Sequence, residues 1–128
     1  MCPTTTLRCA LACNPDRLRE FMADPLNWPS WAVPPCDGIM PLPDGSWRID
    51  SPAGAGSLAV AWEGDTLVFR ERFDEGEWLI LCQIHAMEAG AELVVRIPRP
   101  RFCHDDIFDD LIEMAGLRLR RLQEAIDH

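Results

Sequence analysis

The chain has 128 residues, 48% hydrophobic and 26% charged, enough for one domain with a substantial core and too apolar for a disordered segment. Its net charge of −9 argues against nucleic acid and anionic lipid surfaces as partners. No apolar run approaches the ~20 residues of a membrane span, and all twelve basic residues are Arg, with no Lys and no Tyr, which removes Schiff-base lysine and tyrosine acid chemistry.

Thr4 to Ala12 alternates as a strand, with Leu7, Cys9 and Leu11 on one face. Asn14-Pro15-Asp16 then reads as a helix start, because Asn caps, Pro suits the first turn and Asp favours the positive helix end. Leu18, Phe21 and Met22 form its apolar stripe, and Pro25 predicts an end near Asp24. Leu26 to Trp31 is a short turn or second helix, closed by Pro34-Pro35.

From Asp37 the pattern becomes a meander with turns at Asp44-Gly45, Gly64-Asp65, Glu75-Gly76 and Ala89-Gly90. Treating each as a two-residue loop pairs Leu42 with Trp47, Met40 with Ile49, Leu58 with Glu71, Val60 with Phe69, Glu71 with Ile80, Phe69 with Cys82, and Cys82 with Ile97. All four hairpins then place their apolar residues on one face, and Arg48, Arg70, Arg72, Gln83, His85 and Arg96 on the other. A slip of one residue in any hairpin would invert a strand. Ser51 to Gly56 reads as a flexible loop of small residues; its glycines lack the Lys-Ser/Thr ending of a phosphate-binding loop.

Asp105 to about Asp127 is a long amphipathic helix with Phe108, Leu111, Ile112, Ala115, Leu119, Leu122 and Ile126 on one face. Its early Asp105, Asp106, Asp109 and Asp110 and its late Arg118, Arg120 and Arg121 match the helix dipole. The six cysteines (Cys2, Cys9, Cys13, Cys36, Cys82 and Cys103) have no Cys-x-x-Cys spacing, so no metal site is expected. No secretory signal begins at Met1-Cys2-Pro3-Thr4, so a reducing, cytoplasmic location is expected.

Glu71 is the sharpest candidate. The registers place it on the buried face among Leu58, Phe69, Phe73 and Ile80. A carboxyl buried there unpaired is costly when charged, and such groups serve as ligand anchors or general acid/base catalysts. The alternatives are a pair with an arginine at the cavity rim, or a strand end where water reaches. Trp47, Trp62 and Trp78 project inward by the same registers and suit either a pocket lining or a core. Leu79 and Leu81 on the outer face leave room for a homodimer patch. His85 falls outward and His104 precedes the helix, so neither is singled out as a proton carrier.

The order of one strand, two short helices, six meander strands and a long closing helix resembles the START-like (SRPBCC) superfamily, in particular small bacterial polyketide cyclase/dehydrase-like proteins. Local echoes are Asn14-Pro15-Asp16-Arg17-Leu18, Asp24-Pro25-Leu26-Asn27-Trp28-Pro29-Ser30-Trp31, Trp47 before Pro52-Ala53-Gly54, and the helix carrying Leu119, Leu122 and Ile126. The resemblance covers essentially the whole chain as a single domain, 1–128. It implies an α+β helix-grip fold: a seven-stranded curved antiparallel sheet wrapped around the C-terminal helix, with an apolar cavity between them.

The expected lining is Trp28, Trp31, Trp47, Trp62, Phe69, Glu71, Phe73, Trp78, Ile80, Cys82, Phe108, Ile112 and Ala115, with Trp28 and Trp31 over the cavity mouth. Related sequences often carry a Leu-Asp-His-like patch where this chain has Leu67-Val68-Phe69, so that acid–base role does not transfer. Three readings follow: binding of a small hydrophobic (lipid-, polyketide- or aromatic-type) ligand without a cofactor; a cyclase, aromatase or dehydratase using Glu71 and a second polar group across the cavity; or a partner-binding domain with a filled core.

Overall fold

A computed structural model describes residues 4–52, 54–74, 76–101 and 103–126. Cys2, Ala53, Glu75 and Asp127 lie outside the described residues. The elements run β1 (Thr4–Leu11), α1 (Pro15–Ala23), a 3-10 turn (Pro25–Asn27), α2 (Trp28–Trp31), β2 (Gly38–Pro41), β3 (Trp47–Ser51), β4 (Gly54–Glu63), β5 (Thr66–Phe73), β6 (Gly76–Met87), β7 (Gly90–Pro98) and α3 (Asp105–Ile126). This is the helix-grip order, and the seven strands form one antiparallel curved sheet, β1-β7-β6-β5-β4-β3-β2.

The local chemistry explains the early elements. Asn14 Oδ1 accepts from Asp16 N at 2.8 Å and caps α1, with Pro15 at its first position. Asp24 Oδ1 accepts from Leu26 N at 3.0 Å and starts the following turn, which hands the chain to α2.

Sheet register decides which side chains face α3. The β4–β5 hairpin pairs Leu58 with Glu71 and Val60 with Phe69, as expected. The β5–β6 and β6–β7 hairpins differ from expectation by two residues: Glu71 faces Trp78, Phe69 faces Ile80, and Cys82 faces Val95. Gly76 and Gly90 open strands β6 and β7, paired with Phe73 and Met87, and do not sit inside the loops. A slip of two preserves the faces, so the inner set survives.

The β2–β3 hairpin differs by one, and there the face inverts. Leu42 donates its N–H to Ser46 at 2.8 Å, and Gly45 (φ 90°) donates back to Leu42 at 3.1 Å. The loop is therefore Pro43-Asp44-Gly45, a turn ending in a left-handed glycine. Its odd length pairs Ile39 with Ile49 and leaves Met40 60% exposed, so Met40 and Leu42 leave the inner face. Ser51 to Gly56 is also shorter than a flexible loop: Ser51 pairs with Gly54, and Gly54 to Gly56 belong to β4.

The core lies between the inner sheet face and three helices. Leu58, Leu67, Phe69, Leu93 and Ile97 meet Leu18 and Met22 of α1, Trp28 and Trp31 of α2, and Leu111, Leu122 and Ile126 of α3. On the outer face Val68 and Val94 are buried beside half-buried Leu79 and Leu81, while His85 is exposed. No described helix is long and apolar enough to cross a membrane.

Candidate functional site

Glu71 is fully buried, at 0% exposure, but it is not alone. Arg118 of α3, 3% exposed, donates Nη1 to Oε2 at 2.5 Å and Nη2 to Oε1 at 2.6 Å. This bidentate geometry gives the strongest form of carboxylate–guanidinium bond. Arg118 also donates Nε to the Val33 carbonyl at 2.8 Å, and its guanidinium lies 4.8 Å from the Trp28 ring centroid. One side chain thus ties α3 to the middle of the sheet, to the segment after α2, and to α2 itself. Arg121 Nη1 adds a bond to the Ala32 carbonyl.

Beneath this pair lies a chamber of only about 20 Å³, lined by Trp28, Trp31, Phe69, Cys82, Arg118 and Leu119 among others. That is room for about one water molecule. The three aromatics fill the remainder, with Trp28 and Trp31 edge to face at 4.9 Å and Phe69 5.6 Å from Trp31. Trp31 Nε1 is buried, with no hydrogen-bond partner among the described residues. Burial pushes the Cys82 thiol up to about 12, against a smaller opposing pull from Arg118, so this wall is chemically inert.

On the other side of Arg118 the space opens into a mouth of about 160 Å³, lined by Pro34, Gly54, Ala55, Phe73, Asp74, Trp78 and Met114. Gly56 makes this shape possible: a Cβ there would lie 2.5 Å from Phe73 Cδ1 and 2.7 Å from the Arg72 carbonyl oxygen. The Phe73 ring therefore rests directly on the β4 backbone. A shallower groove of about 320 Å³ continues past Trp78 and Met114 along α3, over Ile107, Asp110 and Leu111.

The structure thus divides the expected lining. Trp28, Trp31, Phe69, Ile80, Cys82 and Ala115 surround the inner chamber. Phe73 and Trp78 line the mouth. Trp47 and Ile112 pack against the core, and Phe108 is buried under the Arg99 guanidinium at 5.5 Å, so these three line neither space. Trp62 sits at the far end of the sheet, 42% exposed, in a groove with Arg19 and Gln83, because β4 runs past the end of the core there. Trp28 and Trp31 are buried in the interior and do not cover the mouth; Pro34 stands there instead.

Arg118 is the residue that sequence reading missed. Grouped with the late cations of the helix, it also falls on the buried stripe, between Ala115 and Leu122. A buried carboxylate on the sheet and an arginine on the apolar face of the helix were signals for each other. Among the described residues no three His, Cys, Asp or Glu side chains are grouped to hold a metal.

No family model and no curated protein matches the chain. Solved structures do. MLL2253 from Mesorhizobium loti has a TM-score of 0.77 at 13% identity, covering 98% of this chain and 97% of that one. CV1439 from Chromobacterium violaceum has a TM-score of 0.72 at 16% identity over 98% of both chains. The crystal structure of Ara h 8.0201 gives 0.75 at 11% identity over 100% of both. At these identities the likeness is one of fold, and it defines the chain as a helix-grip protein.

Proposed function

We propose that this chain binds a small apolar molecule, about the size of one aromatic ring, in the mouth between β5, β6 and α3. The observation that carries this reading is the mouth itself: about 160 Å³ walled by Phe73, Trp78 and Met114. An apolar cavity of about 150 Å³ is enough to take up benzene. Lipid- and polyketide-sized ligands need several times that volume, so the single-ring end of the expected ligand range fits best. A longer molecule would extend outward along the groove past Ile107, which is 44% exposed.

The motif echoes and the shared fold support placing the chain in the START-like (SRPBCC) superfamily. Within that frame the binding reading is favoured over cyclase or dehydratase chemistry. Both Glu71 oxygens already accept from Arg118, and proton transfer by Glu71 would first break a buried ion pair. Glu71 is better suited to fixing Arg118 at the base of the mouth.

The test is an NMR titration with 2-phenylethanol, a neutral single-ring probe. Saturable shifts are expected at Phe73, Trp78 and Met114, and Trp78→Ala should remove them. Absence of saturation up to the solubility limit, or shifts confined to other parts of the chain, would overturn the reading.

A further inference from the structure

Trp78 stands between the mouth and the outer groove and lines both. Among the described residues each of the two spaces has one carboxylate of its own, Asp74 in the mouth and Asp110 in the groove. Both are exposed, and among the described residues neither has a hydrogen bond or an ion pair.

Several arginines near the site are already matched. Arg118 is held by Glu71, Arg72 by Glu77 at 3.0 Å, Arg48 by Asp50 at 3.2 Å, and Arg99 by Asp105. Among the described residues the one cation in the wall of the mouth is therefore neutralised from behind, and the two acids that share a lining with Trp78 are not. The chain's charge of −9 adds a field of the same sign. An indole face attracts a cation through its quadrupole, and the attraction grows as the site excludes water. Met114 contributes a polarisable thioether beside it.

We propose that the ligand is a small organic cation: a protonated or quaternary amine on an apolar body of about one ring. The ring occupies the mouth against Phe73 and Met114, and the ammonium lies at Trp78 between Asp74 and Asp110. This assignment rests on the reading of the mouth as a binding site and adds the charge of what enters it. Anionic aromatics are excluded by the same two carboxylates, since Arg118 has no unmatched charge to offer them.

Three probes of matched size separate the charge from the ring: 2-phenylethylammonium, 2-phenylethanol and phenylacetate, each titrated against the intact chain at low and high salt. The ammonium should bind about tenfold tighter than the alcohol, with phenylacetate weakest and the gap shrinking as salt rises. The Asp74→Asn/Asp110→Asn variant should bring the ammonium down to the affinity of the alcohol while leaving the alcohol within about twofold. As a control, Asp65→Asn/Glu88→Gln removes two charges in turns at the opposite end of the sheet and should leave the ranking intact. An alcohol that binds as tightly as the ammonium, or a distant pair that matters as much as the mouth pair, overturns the cation assignment and leaves the pocket standing. Failure of all three probes removes both.

Discussion

At the inner end of the space between sheet and helix, Trp28, Trp31 and Phe69 close on one another with ring centroids 4.9 to 5.8 Å apart, leaving about 20 Å³. At the outer end Phe73 and Trp78 stand around about 160 Å³. Both ends use aromatic side chains, Phe69 and Phe73 coming from the same strand, β5. The difference lies in what backs them. Inside, two of the three rings, Trp28 and Trp31, come from α2, and Arg118 ties that segment to Glu71; outside, small residues at Gly54, Ala55 and Gly56 keep the wall thin. A fold that offers a cavity between sheet and helix has here filled one half and kept the other.

Breaking the filled half should have the largest effect. Arg118→Ala leaves Glu71 buried and uncompensated, at an expected cost of about 3–5 kcal/mol in urea denaturation. The double variant Glu71→Met/Arg118→Leu, which replaces charge with apolar volume, should recover most of that loss. An Arg118→Ala cost below about 1 kcal/mol would mean that the pair does not hold the interior together.

Trp28→Ala and Trp78→Ala apply one substitution to the two halves. The inner change should cost roughly 3–5 kcal/mol, as expected for a buried aromatic. The half-buried Trp78 should cost about 1 kcal/mol in stability while losing the ligand. Equal costs would erase the distinction between filled interior and open mouth.

Gly56→Ala sharpens it further. The added methyl meets both the Phe73 ring and the Arg72 carbonyl oxygen, so the ring and the strand backbone must both shift, at about 1–3 kcal/mol, and the mouth changes shape. Both probe affinity and stability should fall, read in one thermal-shift titration, and an unchanged probe affinity would mean that Phe73 does not shape the mouth.

The smallest effect concerns Cys82. Its thiol ionises near 12 when folded and near 9 when unfolded. Below pH 9 both states keep the proton, and stability gains no pH dependence from it. Between 9 and 12 only the unfolded chain loses the proton, so stability should fall as pH rises through that window. Alkylation by iodoacetamide at pH 8, mapped by mass spectrometry, should leave Cys82 unmodified in the native chain.

The strands and their inner face were legible because alternation is strong from Leu58 to Ile97 and errors of two residues leave the faces unchanged. β2 was not legible, since a dipeptide Asp44-Gly45 does not reveal that Pro43 belongs to the loop. Glu71 was correctly placed as buried; its partner 47 positions away was not named, because sequence order carries no direct sign of which helix face meets which strand. Trp28 and Trp31 were recognised as a motif but assigned to the wrong end of the cavity. At that depth they join the apolar core, and the bonds from Arg118 and Arg121 to Val33 and Ala32 tie the segment after them to α3.

The reach of Arg118 also carries a consequence for folding order. Its partners lie 47 and 85 residues earlier in the chain, and α3 follows every strand. Contacts this distant close large loops and form slowly. Until α3 arrives, the concave sheet presents Leu58, Phe69 and Leu93 to water, with Glu71 still hydrated. The residue that needs an arginine in the finished molecule is also the one polar side chain among these apolar neighbours, placed as a gatekeeper against association of the uncovered face.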